Sequence, residues 1–161
     1  MSIKITWYGH ATWLVDTGEH KILLDPFLND NPMSPIKADE AEADTILVSH
    51  GHFDHIADAA SIANRTGARV VAIFEIAQWL STNHGVQDPV GMNIGGQVDL
   101  PWGSAKMVPA IHSSALPDGS YGGEPAGFVL TIDDVKVYFA CDTALFSDMQ
   151  LIGQMGINLA V

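Results

Sequence analysis

Between Ser49 and His55 the chain reads Ser-His-Gly-His-Phe-Asp-His, which sets three histidines and an aspartate in the pattern HxHxDH. Histidine at this density points to metal ligation, because a neutral imidazole is the commonest nitrogen ligand for first-row divalent ions. Side chains of an extended backbone alternate, so His50 and His52 fall on one side and can chelate one ion. Asp54 and His55 follow at the start of an expected helix, whose dipole disfavours an imidazolium and keeps His55 a neutral ligand. These two can serve a second ion nearby.

Further donors stand after expected strands. His112 closes one strand and precedes a flexible loop; beside HxHxDH a ligand role is the better reading than a surface histidine. Asp142 closes another, where alternation puts it with Ala140 and Tyr138 on one face and Cys141 with Phe139 and Val137 on the other. Asp142 can then bridge two cations while Cys141 packs in the core. His10 and Asp25 also follow strands. Each is either a support, His10 for substrate or a ligand and Asp25 for a metal histidine, or an ordinary turn residue. The loop over residues 113–124, with Asp118, Ser120 and Tyr121, either lines a substrate cleft or is a mobile connection.

Hydrophobic periodicity supplies the elements that must hold these groups. Strands are expected over residues 3–8, 12–16 and 21–25, forming a meander. A proline-rich loop over 27–44 carries a short acidic helical turn at 37–43. The apolar run 45–48 reads as a buried strand that delivers the chain into the motif. A helix over 56–63, a strand over 69–73 and a helix over 75–83 follow. Residues 95–103 are rich in turn formers. Strands are then expected over 105–111, 126–132 and 135–140, a helix over 145–154, and a new buried strand from 157 to Val161. This order belongs to an α/β layered architecture, and 161 residues read as a single domain over 1–161.

The bulk composition narrows the function. Nineteen acidic residues against seven basic give a formal net charge of −12, which on average repels nucleic-acid phosphates and argues against a dedicated DNA- or RNA-binding module. The single cysteine rules out an internal disulfide framework and suits a reducing, cytoplasmic compartment. No secretory leader and no membrane span are expected.

His50-x-His52-x-Asp54-His55, with His112 and Asp142 after later strands, resembles the metallo-β-lactamase superfamily. Gly9-His10-Ala11-Thr12, Leu24-Asp25-Pro26, Ile111-His112-Ser113 and Ala140-Cys141-Asp142-Thr143 resemble its branch of metal-dependent hydrolases related to the ascorbate-6-phosphate lactonase. The resemblance spans essentially the whole chain. It implies a four-layer αββα sandwich with metals at one edge between two sheets. It also implies that His50, His52 and His112 hold the first ion and that Asp54 and His55 hold the second, with Asp142 bridging. The family pattern expects one more histidine after a later strand, so the chain is expected to be a fragment incomplete at its C-terminus.

The expected function is metal-dependent hydrolysis of an ester, lactone or phosphodiester bond in a small-molecule substrate. A hydroxide bridging two divalent ions, zinc first with Mn2+ or Fe2+ as alternatives, would attack while Asp54 orients it and takes its proton. Two alternatives stand beside it: a non-catalytic metal-binding remnant, and a di-iron redox protein, against which His52 counts because such relatives carry a carboxylate there. A sheet edge at the C-terminus would invite homo-oligomer formation.

Overall fold

In the computed structural model, which describes residues 3–161, the expected meander forms β1 (Lys4–Trp7), β2 (Trp13–Asp16) and β3 (Lys21–Leu24). Met1 and Ser2, at the start where no leader is expected, lie outside the described residues. The three strands pair antiparallel, Ile5 opposite Val15 and Val15 opposite Ile22. The sheet then changes sense. β4 (Thr45–Val48), β5 (Arg69–Ile73) and β6 (Val90–Met92) add in parallel, giving the order β1-β2-β3-β4-β5-β6. Parallel neighbours need crossovers: the loop over 25–44 joins β3 to β4, α1 (Phe53–Ile56) with α2 (Ala59–Thr66) joins β4 to β5, and α3 (Phe74–His84) leads from β5 toward β6. All four residues of β4 are buried, as a strand covered on both faces requires.

The second sheet is an antiparallel run of β7 (Gln97–Leu100), β8 (Gly103–Pro109), β9 (Ala126–Ile132) and β10 (Val135–Phe139). After α4 (Met149–Gly153), the short β11 (Leu159–Ala160) joins β10 in parallel. Val15, Ile22, Leu24, Ile46 and Val71 of the first sheet share one hydrophobic cluster with Met107, Phe128, Leu130, Val137 and Phe139 of the second. The result is a mixed α/β fold of two sheets and few helices. Among the described residues no helix is long and apolar enough to cross a membrane.

Several elements differ from expectation for identifiable reasons. The helix after the motif is two, because the chain breaks between Ile56 and Ala59 where Asp58 turns its carboxylate back to the loop at Leu28 and Asn29. Within 37–43 only residues 38–40 form a turn, Glu40 N–H donating to the Lys37 carbonyl (3.1 Å), and no helix follows; there Ala38 N–H bonds Asn29 Oδ1 and Arg65 donates to the Ala38 and Ala41 carbonyls. Residues 97–100, read as turn, are a strand, because pairing with β8 overrides their local turn composition. The strand β6 was not anticipated, and α4 covers only half of the expected helix over 145–154.

Two side chains pin the loops that carry the site. Buried Thr12 donates its hydroxyl to the Asp25 carbonyl (2.7 Å) and accepts from Phe27 N–H (3.1 Å). Buried Asp58 accepts from Leu28 N–H (2.6 Å) and Asn29 N–H (3.1 Å), and from the Asn29 amide (2.9 Å). Thr12→Val keeps the shape but orphans both partners. It should lower the unfolding free energy of the metal-free protein by about 1–3 kcal/mol in urea titrations; an unchanged midpoint would show that the clamp adds nothing.

Candidate metal centre

The donors sit on segments that follow strand ends: His10 after β1, Asp25 after β3, His50 to His55 after β4, His112 after β8 and Asp142 after β10. A parallel strand ends in a loop that carries its side chains beyond the sheet edge, so β3 and β4 bring Asp25 and His50 together. The second sheet supplies the far side.

His50 Nε2 lies 2.9 Å from His52 Nδ1, and the ring of His112 packs edge-on to both, each at a centroid distance of 5.0 Å. His50, His52 and His112 thus bring one ligand atom apiece within 4.8 Å of one another. On the other side His10, Asp54 and His55 do the same. Between the two sets stands Asp142, its Oδ2 3.4 Å from His55 Nε2 and 3.6 Å from His112 Nε2. Every ligand candidate named from the sequence is therefore in this cluster. His84, by contrast, ends α3 and packs tilted against Trp79 at a centroid distance of 4.3 Å.

Asp25 organises the cluster from beneath. Buried and at φ +42°, it accepts Ser49 N–H on Oδ1 (2.7 Å) and the Ser49 hydroxyl on Oδ2 (2.5 Å). The same Oδ2 meets His55 Nδ1 at 2.8 Å. Because Ser49 Oγ gives its proton to Asp25, it accepts from His50 Nδ1, 3.0 Å away. Both rings then carry a hydrogen on Nδ1 and turn Nε2 toward the centre, the arrangement that orients metal-binding imidazoles. Asp25 also lies within ligand reach of His50 and His55, with its Oδ2 engaged by the Ser49 hydroxyl and His55 Nδ1. His52 uses the other nitrogen: Nδ1 faces His50 while Nε2 lies 3.3 Å from Ser113 Oγ.

The loop after His112 closes over the motif backbone. Gly51 N–H donates to Ser114 Oγ (3.1 Å), and a Cβ at Gly51 would stand 3.2 Å from the Ala115 carbonyl. Ala115 bridges Tyr121, so the loop is a small hairpin-like fold of its own rather than a loose connection. Two expectations about the donors change. The strand before His112 ends at Pro109, and the one before Asp142 ends at Phe139. Cys141 takes a left-handed φ of +56°, so side-chain alternation does not carry through to Asp142; the turn at Cys141 aims it. Cys141 itself packs against the core cluster, and burial pushes its thiol pKa up.

Charge divides the histidines. Burial, reinforced by neighbouring His55, drives the His50 imidazole down to about 4. Burial acts the same way on His55, but the hydrogen bond to Asp25 and the charges of Asp25, Asp142 and Asp54 outweigh it and raise its pKa. His55 is thus not held neutral by a helix dipole; α1 is one turn long and the carboxylates dominate. Asp54 is desolvated, which opposes ionisation, yet His55 and the surrounding groups hold its pKa below the usual carboxylate value. The donor set of imidazole nitrogens and carboxylates fits divalent cations of the zinc, manganese or iron class, which would displace the Nε2 proton of His55 on binding.

A family model described as a β-lactamase superfamily domain matches residues 20–161. A metal-dependent hydrolase of the UPF0173 group from Deinococcus radiodurans is 44% identical over 161 residues, covering 98% of this chain and 70% of that protein. The chain belongs to the metallo-β-lactamase superfamily, among its metal-dependent hydrolases. Another such hydrolase, from Thermus thermophilus, is 45% identical over 159 residues, with 99% of this chain and 70% of its own length covered. Among solved structures, Igni18, a metallo hydrolase from Ignicoccus hospitalis, superposes with a TM-score of 0.85 at 35% identity, over 98% of this chain and 69% of that one. The diiron β-hydroxylase CmlA from Streptomyces venezuelae shares the metallo-β-lactamase fold alone, with a TM-score of 0.72 at 17% identity over 98% of this chain and 33% of its own.

In the metal-free protein, ring-nitrogen NMR should show His50 neutral down to about pH 4 and His55 still protonated above its ordinary value of 6.5. The two act oppositely on stability. Between pH 6.5 and about 4 the unfolded chain takes a proton that folded His50 refuses, so acid weakens the fold there. The raised pKa of His55 adds stability below 6.5 that is lost as pH rises through its folded value. Equal titration of both rings near 6.5 would contradict this electrostatic picture.

Proposed function

We propose that this chain hydrolyses an ester, lactone or phosphodiester bond of a small-molecule substrate at a centre of two divalent ions, zinc foremost. The observation that carries the reading is Asp142, whose single Oδ2 stands between the His112 side and the His55 side of the cluster. A carboxylate between two nitrogen-rich donor sets neutralises two cations at once, and a lone ion would not need it. In this reading His50, His52 and His112 hold one ion, Asp54 and His55 the other, and Asp142 bridges.

Divalent ions held by these residues would supply a hydroxide at neutral pH and polarise the oxygen of the scissile group. The chain's own residues do the rest. Ser49 and Asp25 hold the rings of His50 and His55 in place, and Ser113 holds that of His52. Asp54 stays ionised beside His55 and is partly open to solvent, so its carboxylate can orient the nucleophile and take its proton.

Substrate would enter over the motif. A cavity of about 390 Å³ lies beside it, lined by Phe53, Ile56, Ala57, Trp79, Leu80 and Pro117. Its wall is mostly apolar, and Phe53 sits between His52 and Asp54, which supports an apolar substituent on the substrate. Trp79 Nε1 donates to Asp118 Oδ2 (2.6 Å) and ties α3 to the overlying loop. A larger polar cleft of about 460 Å³, between Asp16, His20, Lys21, Asp44 and Arg65, opens at the starts of β3 and β4. That is the end of the sheet away from Asp25 and His50, and it holds none of the donors. The acidic surface and the lone cysteine accord with a cytoplasmic enzyme of one domain that does not bind nucleic acid.

Asp54→Ala tests the reading. In zinc- or manganese-reconstituted protein it should lower turnover of p-nitrophenyl acetate or bis(p-nitrophenyl) phosphate by at least about 100-fold, with the far-UV spectrum and ion binding at His50, His52 and His112 kept. Unchanged turnover, with the parent protein active, would remove Asp54 from the chemistry.

A further inference from the structure

We propose that His10 is a direct protein ligand of the ion held by Asp54 and His55, not a support for other ligands. The inference rests on the two-ion reading above. Donor atoms that share one ion through bonds of about 2.0–2.2 Å stand about 3.0–3.5 Å apart, the edge of a tetrahedral or octahedral shell. His10 Nε2 lies 3.0 Å from Asp54 Oδ2 and 3.3 Å from His55 Nε2. His55 Nε2 lies 3.4 Å from Asp142 Oδ2. The spacings from His10 are thus of the same kind as those among the donors named for the ions, including the 2.9 Å between His50 and His52.

Hydrogen bonding accounts for this less well. His55 already directs Nδ1 to Asp25, so its Nε2 is the atom left to face His10. A single proton serves both contacts of His10 Nε2 only as a divided hydrogen bond, whereas a cation at the centre satisfies the nitrogens and the carboxylate together.

The turn that carries His10 is built to aim it. Gly9 and His10 both take left-handed conformations, φ +94° and +50°, which a histidine adopts only where the surroundings enforce it. Trp7 Nε1 donates to the His10 carbonyl (2.8 Å) and Thr12 N–H to the Gly9 carbonyl (3.0 Å). A Cβ at Gly9 would stand 3.0 Å from both Asn31 Nδ2 and Met33 Cβ, so the following loop presses the turn from outside. The imidazole is flanked edge-on by Phe27 at 5.9 Å and by His55 at 4.9 Å. Filling the site would therefore tie the β1–β2 turn to the motif after β4, which the backbone alone does not connect.

The experiment is a crystal structure of the zinc-loaded protein, together with zinc titrations of wild type and His10→Ala against a competing chelator. His10 Nε2 should lie about 2.0–2.1 Å from the second zinc. His10→Ala should bind that ion at least about 10-fold more weakly and the first ion unchanged, with a metal-free melting curve like that of wild type to show that it folds. The distance, not the affinity, separates a ligand from a supporting residue. Two zinc ions with His10 Nε2 more than about 3 Å from either would overturn this assignment and leave the two-ion reading standing. A single zinc ion at His50, His52 and His112 would overturn both.

Discussion

The centre depends on one buried carboxylate. Asp25 is closed off from solvent, and an ionised group there is costly unless it is fully hydrogen-bonded. It is: Ser49 N–H, the Ser49 hydroxyl and His55 Nδ1 all converge on it at 2.5–2.8 Å. Through Ser49 it reaches His50, and directly it reaches His55, so one side chain sets the ring orientation in both donor sets. The network couples the two halves of the site before any ion arrives. The two pKa values separate, because burial and the neighbouring His55 outweigh the carboxylates at His50, whereas at His55 the hydrogen bond to Asp25 and the surrounding carboxylates outweigh burial.

Backbone geometry concentrates at the same place. Of the five described non-glycine residues with left-handed φ, His10, Asp25 and Cys141 lie in or beside the His/Asp cluster, and Asp88 and Asp133 lie elsewhere. Such positions persist only where packing and hydrogen bonds over-determine them. Thr12 does this for Asp25, Trp7 for His10, and the core for Cys141. The donors come from both sheets, so the centre exists only when the β4 and β10 faces have packed through Ile46, Val137 and Phe139. Fold and site are stabilised by the same contacts.

Much of this was legible in the sequence, since period-2 patterns and buried apolar runs are local signals. The strands at Thr45–Val48, Arg69–Ile73 and Ala126–Ile132 match the expected ranges. HxHxDH, His112 and Asp142 were likewise visible as residue types at strand ends. What could not be read locally was set by distant partners. The strand at Gln97–Leu100 exists because β8 pairs with it, and the aim of Asp142 comes from the turn at Cys141 rather than from strand alternation. The charge state of His55 depends on Asp25 and Asp142, which lie far from it in sequence. Asp58 had no sequence signal beyond its place after the motif, yet its carboxylate holds the loop at Leu28 and Asn29. His10 was recognisable as a site residue, but its distance to Asp54 is a tertiary fact.

The most direct test of the account is the position of the ring protons in the zinc-loaded protein, read by long-range nitrogen–proton NMR correlation of labelled histidine. Asp25 and Ser49 require His50 and His55 each to carry their proton on Nδ1 and to bind through Nε2. In Asp25→Ala both rings should lose that fixed form. A proton on Nε2 of either ring in the wild-type protein, or an unchanged pattern in Asp25→Ala, would contradict the claim that this carboxylate organises the centre.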